Sequence, residues 1–450
     1  MNPTIQNDRT RGGREDLSGC RVVVMGLGLH GGGVGVVQYL AAQGAAVTVT
    51  DLRDAETLRP SLAELEGLSL RYVLGRHEED DFQRADLVIR NPAVPLDSPY
   101  LAVARKAGAR IEMESSLFIR ACPSPHIAGI TGTKGKTTTT VLLSQMLAAA
   151  GCHVVTAGNL RVSMLSQLAD ISEETRVVLE LSSWQLEAFV PHAYSPPLAV
   201  VTNVLPDHLN RYAGMDDYAA AKEINVQFQH ADDTAVLNLR NAYTRQMGER
   251  APGRVTWFTA QDSIPGEADS PLWGAHLREN LAAASAAARV WGVDDTAIAA
   301  AVQRFTGVPH RQELVREWRG IRFINDTTAT MPTATVACIE TIPGPKVLLL
   351  GGADKQLDFA GLAQSLHAHR EMIRGIVLLE GSATDRLVAE LPLPVAGRYT
   401  DMDEALTQAV ALARAGDAVI LSPGCASFGM FQHEFERGEA FRRWVAALPK

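Results

Sequence analysis

The segment at residues 127–140, IAGITGTKGKTTTT, constrains the fold more than any other part of the chain. An apolar strand pattern leads into a turn with two glycines and two lysines, and a helical pattern follows it. This order directs several backbone N–H groups and a helix N-terminus at one point, an arrangement that suits an anion such as phosphate. The segment therefore predicts a nucleotide site inside an α/β domain. An accidental turn rich in glycine, lysine and threonine is the alternative.

The loop departs from the common pattern G-x-x-x-x-G-K-[ST], because Ile130 occupies the position of its first glycine. The mechanics of such a loop still predict roles for two side chains. Lys136 should reach the outer phosphates of ATP, and Thr137 should be a magnesium ligand. The remaining predicted ATP-binding residues of the loop are Gly132, Thr133, Lys134, Gly135 and Thr138.

Strand and helix patterns alternate along the whole chain, which predicts an α/β fold with mostly parallel sheets. With 450 residues the chain is too long for one core, and we expect three domains. The first should be Rossmann-like, the second a P-loop ATPase-like α/β domain and the third Rossmann-like again. The predicted ranges are a flexible polar arm at 1–18, followed by domains at 19–124, 125–308 and 309–450.

Composition excludes several classes of protein. No uninterrupted apolar run reaches the roughly 18 residues of a membrane span, and residues 1–18 lack the apolar core of a signal peptide. A cytoplasmic protein without a membrane partner is expected. The net charge of −9 argues against a broad nucleic-acid surface. The five cysteines lie far apart without a C-x-x-C pair, so we expect buried thiols rather than disulfides or a zinc site.

A strand followed by GLGLHGGG at residues 26–33 and a second strand ending at Asp51 resembles a dinucleotide-binding unit. Such a glycine pattern alone most often indicates NAD. An aspartate at the end of the second strand favours ribose or uracil groups equally well, so Asp51 does not distinguish NAD from a uridine nucleotide. The motifs that follow it make that distinction.

Six further motifs follow the phosphate loop, and together with it they resemble the Mur ligase family in their order along the chain. They are ELSSWQLE at 180–187, TNVLPDHLNRY at 202–212, PHR at 309–311, ND at 325–326, GGADK at 351–355 and LSPGCAS at 421–427. The set spans nearly the whole chain, and its last members look most like the branch of the family that adds glutamate. A folate-type polyglutamate ligase is the other relative, which the last two motifs fit poorly.

The resemblance implies an ATP-dependent ligase of cytoplasmic peptidoglycan precursor synthesis. ATP would phosphorylate the carboxylate of UDP-N-acetylmuramoyl-L-alanine, and the amino group of glutamate would attack the acyl phosphate. D-Glutamate is the family default. The implied cofactors are ATP and two Mg²⁺ ions, with a possible carbamate on Lys222, and we expect a monomer. The first domain would bind the UDP substrate, the central one ATP, and the third glutamate.

The family also implies roles for single residues, carried over by motif. The expected catalytic residues are Lys136, Glu180, His208 and Lys222, of which the last three, with Thr137, would also be metal ligands. Asn280, Arg311 and Asp326 would contact the nucleotide. The UDP substrate would contact Leu29, His30, Gly31, Asp51, Arg53, Asn159 and Ser182. Glutamate would contact Thr330, Lys355 and Ser427. From the residues alone, Glu180 at the end of a strand suits magnesium, because ligands of open parallel sheets bind there.

Two departures lie in the expected glutamate pocket. Thr328 replaces a lysine of the family motif, and Glu434 stands where an aromatic residue is expected. Losing one charge-assisted contact, worth roughly 1.5–3 kcal/mol, could re-orient the amino acid rather than abolish binding. The same reaction with L-glutamate therefore stays open as an alternative, as does a non-catalytic sensor of the UDP-linked substrate.

Overall fold

The computed structural model describes residues 16–29, 31–160, 162–207, 211–270, 275–354, 357–431 and 433–449. These residues form three sheets, each with helices between its strands. The predicted three-domain α/β architecture with mostly parallel sheets is confirmed. His30, His208, Lys355 and most of the predicted arm at 1–18 lie outside the described residues.

The first sheet is wholly parallel in the order β3-β2-β1-β4-β5. Its strands are β1 (Arg21–Met25), β2 (Ala46–Asp51), β3 (Arg71–Leu74), β4 (Leu87–Arg90) and β5 (Arg110–Glu112). The helices are α1 (Gly32–Ala42), α2 (Arg59–Ala63), α3 (Glu79–Arg84), α4 (Pro99–Lys106) and α5 (Glu114–Ala121). The strand order reverses at β1, so the glycine turn that follows β1 opens at a topological switch point, where such sheets bind ligands.

The second sheet is also parallel, in the order β11-β10-β9-β6-β8-β7. Its strands are β6 (Ile127–Thr131), β7 (Val154–Gly158), β8 (Arg176–Glu180), β9 (Leu198–Val201), β10 (Thr234–Asn238) and β11 (Arg254–Phe258). The helices are α6 (Lys136–Ala149), α7 (Ser183–Leu186), α8 (Met215–Gln227), α9 (Ala242–Arg250), α10 (Ala275–Val290) and α11 (Asp295–Arg304). The phosphate loop thus leaves a fully buried central strand, β6, whose neighbours β8 and β9 carry the next two motifs.

The third sheet has the order β12-β13-β17-β14-β15-β16, and only its edge strand β12 is antiparallel. Its strands are β12 (Glu313–Trp318), β13 (Ile321–Asn325), β14 (Lys346–Gly351), β15 (Ile373–Leu379), β16 (Val395–Tyr399) and β17 (Ala418–Leu421). The helices are α12 (Pro332–Thr341), α13 (Ala360–Ala368), α14 (Thr384–Glu390), α15 (Met402–Leu412) and α16 (Glu434–Ala447). One apolar cluster includes Leu348 and Ile420, and another includes Leu349 and Leu421, so alternate residues of each strand belong to different cores.

The chain divides into two compact units, one of residues 1–267 and 278–302 and the other of residues 268–277 and 303–450. The first unit contains two sheets, and one hydrophobic core joins them, with Leu40 and Phe118 from the first sheet's layers and Leu179 and Leu186 from the second's. We keep the boundaries at 124/125 and 308/309 as a proposal. The three sheets span Arg21 to Glu112, Ile127 to Phe258 and Glu313 to Leu421.

All five cysteines are free thiols, but they are not all buried. Cys122, Cys338 and Cys425 are buried, whereas Cys20 and Cys152 are partly exposed, so the expectation of five buried thiols is wrong for these two. Cys20 immediately precedes the exposed Arg21 at the start of β1, and Cys152 follows the turn that ends α6. Within the described part of the chain, no helix is long and apolar enough to cross a membrane.

Gly35 in α1 tests the packing between the two sheets of the first unit. A Cβ at this position would overlap both the Cβ and Oγ atoms of Ser163, which follows β7. We expect Gly35→Ala to destabilise the first unit by about 1–3 kcal/mol through overpacking, measured as a lower midpoint of thermal unfolding. Gly361→Ala in α13 is the matched control, because a Cβ there meets open space and should leave the midpoint unchanged or raise it. Equal effects of the two substitutions would contradict this account.

Candidate active site

The phosphate loop is the four-residue turn between β6 and α6, and its glycines are required by close packing. Gly132 and Gly135 have positive φ angles of 149° and 83°. A Cβ on Gly132 would overlap the hydroxyl of Thr202, and one on Gly135 would overlap the side-chain amide of Asn280. Asn280 in α10 is buried, and its Oδ1 lies 3.5 Å from Thr139 Oγ1, which donates to it. Asn280, which is predicted to contact the nucleotide, therefore packs directly against the phosphate loop.

A second segment, which follows β9, holds the loop from the other side. Thr202 Oγ1 donates to the carbonyl of Lys134 at 2.6 Å, and the backbone N–H of Lys134 donates to Asn203 Oδ1 at 2.9 Å. The N–H of Thr133 donates to the carbonyl of Asn203 at 2.9 Å. These contacts were not predicted as part of the site. Their signal in the sequence was the TN pair that begins the motif at 202–212.

Two lysines converge on one carbonyl of the loop. Lys136 Nζ and Lys222 Nζ both lie 3.0 Å from the carbonyl oxygen of Gly132, and Lys136 Nζ also donates to Thr133 O at 3.1 Å. Lys134, by contrast, is 73% exposed, and its Nζ lies 3.7 Å from Asp207 Oδ2. The loop therefore concentrates positive charge where the outer phosphates of a nucleotide would lie.

Lys222 lies in α8 and is only 2% exposed, although the sequence around it gives no sign of burial. Its Nζ lies 4.6 Å from the ring centroid of Tyr218, whose hydroxyl is hydrogen-bonded to Thr133 Oγ1 at 3.2 Å. Burial and, after it, the nearby charge of Lys136 lower the pKa of the Lys222 amine to about 7, and Asp207 opposes this shift. A substantial fraction of this amine is therefore uncharged at neutral pH.

Glu180 ends β8 beside Ile130 of β6 and is 1% exposed. Its Oε1 accepts a hydrogen bond from Asn159 Nδ2 at 2.8 Å, and its Oε2 is buried without a hydrogen-bond partner. A buried carboxylate oxygen of this kind is costly unless a cation or donor satisfies it. Its hard oxygen fits a magnesium ion.

A magnesium ion at Glu180 would need ligands other than carboxylates. Thr137 and Thr138 begin α6 after the loop and are half-buried. Among the residues that the structure describes, no three histidine, cysteine or carboxylate side chains form a metal cluster. Hydroxyl groups, phosphate oxygens and water are the ligands that magnesium commonly takes beside one carboxylate. The described residues therefore fit a nucleotide-bound magnesium better than a site made of protein groups alone.

The predicted contacts of the UDP substrate in the first domain lie at the carboxyl edge of its sheet. Asp51 ends β2, and its carboxylate accepts from the N–H groups of Gly28 at 3.1 Å and Arg53 at 2.9 Å. Leu29 is exposed, and Gly31 is the residue that precedes α1. The structure therefore brings Leu29, Gly31, Asp51 and Arg53 to one edge.

The two predicted substrate contacts of the central domain have structural partners of their own. Asn159 holds Glu180 through its side chain, and its N–H also donates to the Glu180 carbonyl at 2.9 Å. Ser182 is the N-cap of α7, where its Oγ accepts from the N–H of Gln185 at 3.2 Å. Asn159 is therefore placed to orient Glu180, a role that the sequence did not indicate.

An ion-pair network that sequence reasoning missed joins the two sheets of the first unit. Arg90, at the end of β4, is buried and donates to Glu187 Oε2 at 2.9 Å. Arg211 donates to the same oxygen at 3.2 Å, and its guanidinium lies 4.3 Å from the ring centroid of Trp184. Burial lowers the pKa of Arg90, and Glu187 opposes this shift. Glu187 and Arg211 belong to conspicuous motifs, but only the fold pairs them with Arg90.

The second unit contains the remaining predicted contacts. Asp326 is buried, and its carboxylate accepts from Ser422 Oγ at 2.7 Å and from the N–H of Gln312 at 3.2 Å. Burial raises the pKa of Asp326 to about 6. Arg311 is exposed on the loop before β12, and Lys355 lies outside the described residues.

The loop after β13 contains Thr328, the residue that replaces the expected lysine. Its hydroxyl donates to the carbonyl of His310 at 3.0 Å. Thr330 is half-buried farther along this loop, and Ser427 is buried in the loop after β17. A hydrogen bond links these two loops directly, because the N–H of Gly424 donates to the carbonyl of Ala329 at 2.8 Å. Thr330 and Ser427, the two predicted glutamate contacts among the described residues, thus share one edge of the third sheet.

Comparisons with known proteins match this architecture along the chain. Three family models match, described as Mur ligase MurD-like, N-terminal domain at residues 20–112, Mur ligase middle domain at 130–263, and Mur ligase, glutamate ligase domain at 310–425. A protein of Roseiflexus sp. named UDP-N-acetylmuramoylalanine–D-glutamate ligase is 47% identical over 96% of this chain and 99% of its own. A protein of the same name from Geobacter metallireducens is 37% identical over 96% and 98%.

Solved structures agree on the fold. A UDP-N-acetylmuramate-alanine ligase from Thermotoga maritima superposes with a TM-score of 0.58 at 19% identity, over 95% of this chain and 98% of that one. A MurF ligase from the same organism, solved in complex with ADP, gives 0.55 at 16% identity over 97% and 98%. At these identities the likeness concerns the fold alone.

Glu180→Gln tests whether the unpartnered oxygen is a cation site. The substitution removes a buried negative charge, so without ligand we expect the midpoint of thermal unfolding to stay or rise. A non-hydrolysable ATP analogue with Mg²⁺ should stabilise the wild type, by about 2.7 kcal/mol at 100 times its Kd, and stabilise the variant far less. Glu174→Gln, an exposed acid just before β8, is the control and should respond as the wild type does. Equal ligand stabilisation of both variants would exclude Glu180 from the metal site.

Proposed function

The chain belongs to the Mur ligase family, and from this premise we propose that it joins D-glutamate to UDP-N-acetylmuramoyl-L-alanine at the expense of ATP. The full-length relatives with this name support the substrates. The observation that carries the proposal is the phosphate loop with two lysines at the Gly132 carbonyl and the unpartnered Glu180 oxygen beside it. The same reaction is a step of peptidoglycan precursor synthesis, for which we propose a cytoplasmic monomer.

The reaction requires two steps, because a carboxylate offers an attacking amine no leaving group until one of its oxygens is phosphorylated. In the first, a carboxylate oxygen of UDP-N-acetylmuramoyl-L-alanine attacks the γ-phosphorus of ATP, and ADP leaves. In the second, the amino nitrogen of glutamate attacks the acyl carbon, phosphate leaves and the nitrogen loses a proton. Both steps gather negative charge on oxygen atoms, which Lys136, Lys134 and the N–H groups at the start of α6 would stabilise.

Magnesium ions, when bound, neutralise the phosphate oxygens and orient the transferred group. We propose that Thr137 and Glu180 hold one ion, with Asn159 orienting Glu180 through its hydrogen bond. His208 is proposed for a second ion and lies outside the described residues. Asn280 would contact the nucleotide base, where it already packs against Gly135.

A carbamate on Lys222 would complete this set as an anionic ligand. Carbamate forms when the uncharged amine attacks carbon dioxide and loses a proton. With a pKa of about 7, roughly half of the Lys222 amine is uncharged at pH 7, against roughly one part in 3,000 for an unperturbed lysine. Burial therefore prepares Lys222 for this modification, which also reverses the charge that opposes Lys136.

The remaining contacts are proposed within each domain. The UDP moiety would bind to Leu29, His30, Gly31, Asp51 and Arg53 of the first domain. Ser182 of the central domain, in the motif at 180–187, would contact the same substrate. In the second unit, Arg311 and Asp326 would contact the nucleotide. The proposed glutamate contacts are Thr330, Lys355 and Ser427.

The alternatives raised by the sequence have less support. The relatives are named for D-glutamate, which does not favour L-glutamate as the substrate. The hydroxyl of Thr328 donates to the carbonyl of His310 on the loop before β12, so the residue that replaces the lysine has a protein partner. A non-catalytic sensor would have no use for a buried amine poised at a phosphate loop. Ligation with D-glutamate remains the best-supported activity.

Ligation assays test the proposed function directly. With UDP-N-acetylmuramoyl-L-alanine, Mg²⁺ and ATP, we expect ADP release that depends on D-glutamate and is at least about tenfold slower with L-glutamate, because the pocket must distinguish mirror-image carboxylates. Lys136→Ala should lower kcat by roughly 10²–10³ or more through lost charge stabilisation. Lys106→Ala, at an exposed position of α4, should not change kcat. No ADP release with either enantiomer would refute the proposed function.

Carbon-13 NMR in labelled bicarbonate tests the carbamate. We expect a carbamate resonance that grows as pH rises through about 7, because the free amine is the reactive form, and fades below it. Lys222→Arg should lack this resonance and lose ligase activity, whereas Lys106→Arg should retain both. An unchanged resonance in Lys222→Arg would show that the carbamate lies elsewhere.

A further inference from the structure

Arg437 in α16 is the largest fully buried side chain of the described residues, at 1% exposure. Its Nε donates to Thr327 Oγ1 at 3.0 Å, and its Nη2 donates to the carbonyl of Thr327 at 2.9 Å. Both terminal nitrogens lie 3.3 Å from the carbonyl oxygen of Cys425 and donate to it. One guanidinium group therefore joins the segment after β13 to the segment after β17.

These two segments carry the proposed glutamate contacts. Thr327 precedes Thr330 by three residues, and Cys425 precedes Ser427 by two. Strands β13 and β17 are parallel neighbours, so both segments leave the sheet at its carboxyl edge, where open α/β sheets bind ligands. The helix itself is tied in as well, because Thr327 Oγ1 donates to the carbonyl of Glu434 at 2.7 Å. Arg437 thus links the two segments that carry Thr330 and Ser427.

The charge of Arg437 is buried without a hydrogen bond to any acidic group that the structure describes. Its hydrogen-bond acceptors are two carbonyl groups and one hydroxyl, all of them neutral. Burial lowers its pKa to about 10, which leaves it protonated at neutral pH, and the nearby carboxylate of Glu434 opposes this shift. In a medium of low dielectric constant, a buried cation acts on anions at longer range than an exposed one. Thr328, which stands where the family has a lysine, contributes no charge to this edge.

We propose that Arg437 is a positioning and specificity residue for the amino-acid substrate. Its guanidinium fixes the segments that present Thr330 and Ser427, and its buried charge selects a substrate whose side chain is a carboxylate. Arg437 does not touch the substrate, because it acts through Thr327, Cys425 and the electrostatic potential at the sheet edge. This inference rests on the proposed function, since it assigns the glutamate pocket of that same reaction.

Kinetics of Arg437→Met and Arg437→Lys test the inference in the full-length enzyme. In Arg437→Met we expect KM for D-glutamate to rise at least tenfold, while KM for ATP and for UDP-N-acetylmuramoyl-L-alanine stays within twofold. Arg437→Lys keeps the charge and loses the fork, so its KM for glutamate should lie between those of the wild type and Arg437→Met. Arg442→Met, in the same helix at 41% exposure, is the control and should match the wild type.

Two readouts separate positioning from a general loss of structure. Hydroxylamine traps the acyl phosphate without any amino acid, so hydroxamate formation should be unchanged in all variants. The ratio of kcat/KM for D-glutamate over D-glutamine should fall at least fivefold in Arg437→Met and stay near the wild-type value in Arg437→Lys, because only the former loses the charge. A purely structural residue would not alter this ratio.

Each outcome decides the inference. An unchanged KM for glutamate in folded Arg437→Met, or an equal rise of all three KM values with loss of hydroxamate, would overturn it. If Arg437→Met does not fold, Arg437→Lys decides alone, and its unchanged KM for glutamate would overturn the inference. Wild-type enzyme that forms no hydroxamate would refute the proposed function and this inference together, whereas wild-type ligation with unaltered variants refutes the inference alone.

Discussion

Two lysine amines share one carbonyl oxygen at the phosphate loop, and much of the first unit is arranged around this pair. Lys136 and Lys222 would repel each other if both were fully charged, and burial already favours the neutral form of Lys222. The glycines of the loop allow this approach, and the segment after β9 holds the loop rigid through Thr202 and Asn203. The charge is thus in place before any anion arrives, which is the condition for electrostatic catalysis.

The opposite charge lies on the adjacent strand. Glu180 presents a buried oxygen without a protein partner, while Asn159 satisfies and orients the other oxygen. In our proposal, a nucleotide with magnesium would satisfy both groups, because its phosphates would contact the lysines and its cation would bind Glu180. The unpartnered oxygen of Glu180 and the two adjacent amines of Lys136 and Lys222 destabilise this part of the fold. A bound nucleotide with magnesium would relieve both effects.

We propose that the second unit recognises glutamate with less positive charge at the surface of its site. Thr328 replaces a cation with a hydroxyl that donates to the carbonyl of His310 on the loop before β12, and Asp326 is buried against Ser422. A buried arginine, Arg437, joins the loops after β13 and β17 and keeps its charge among neutral acceptors. We therefore propose that the buried Arg437 supplies the positive charge that the motif lacks at Thr328. The effect of this charge depends on the packing around Arg437 and not on the motif.

The sequence by itself determined the phosphate loop, the α/β alternation, the family and most strands, because these depend on local periodicity and on glycines that readily adopt positive φ angles. It did not identify β3, β7, β11, β12 or β16, and it did not indicate the Arg90–Glu187–Arg211 network or the buried state of Lys222 and Arg437. A lysine or arginine in an amphipathic helix looks the same in sequence whether solvent or another helix faces it. Only tertiary packing decides the dielectric environment of such a group, and with it the charge that the group can offer to a substrate.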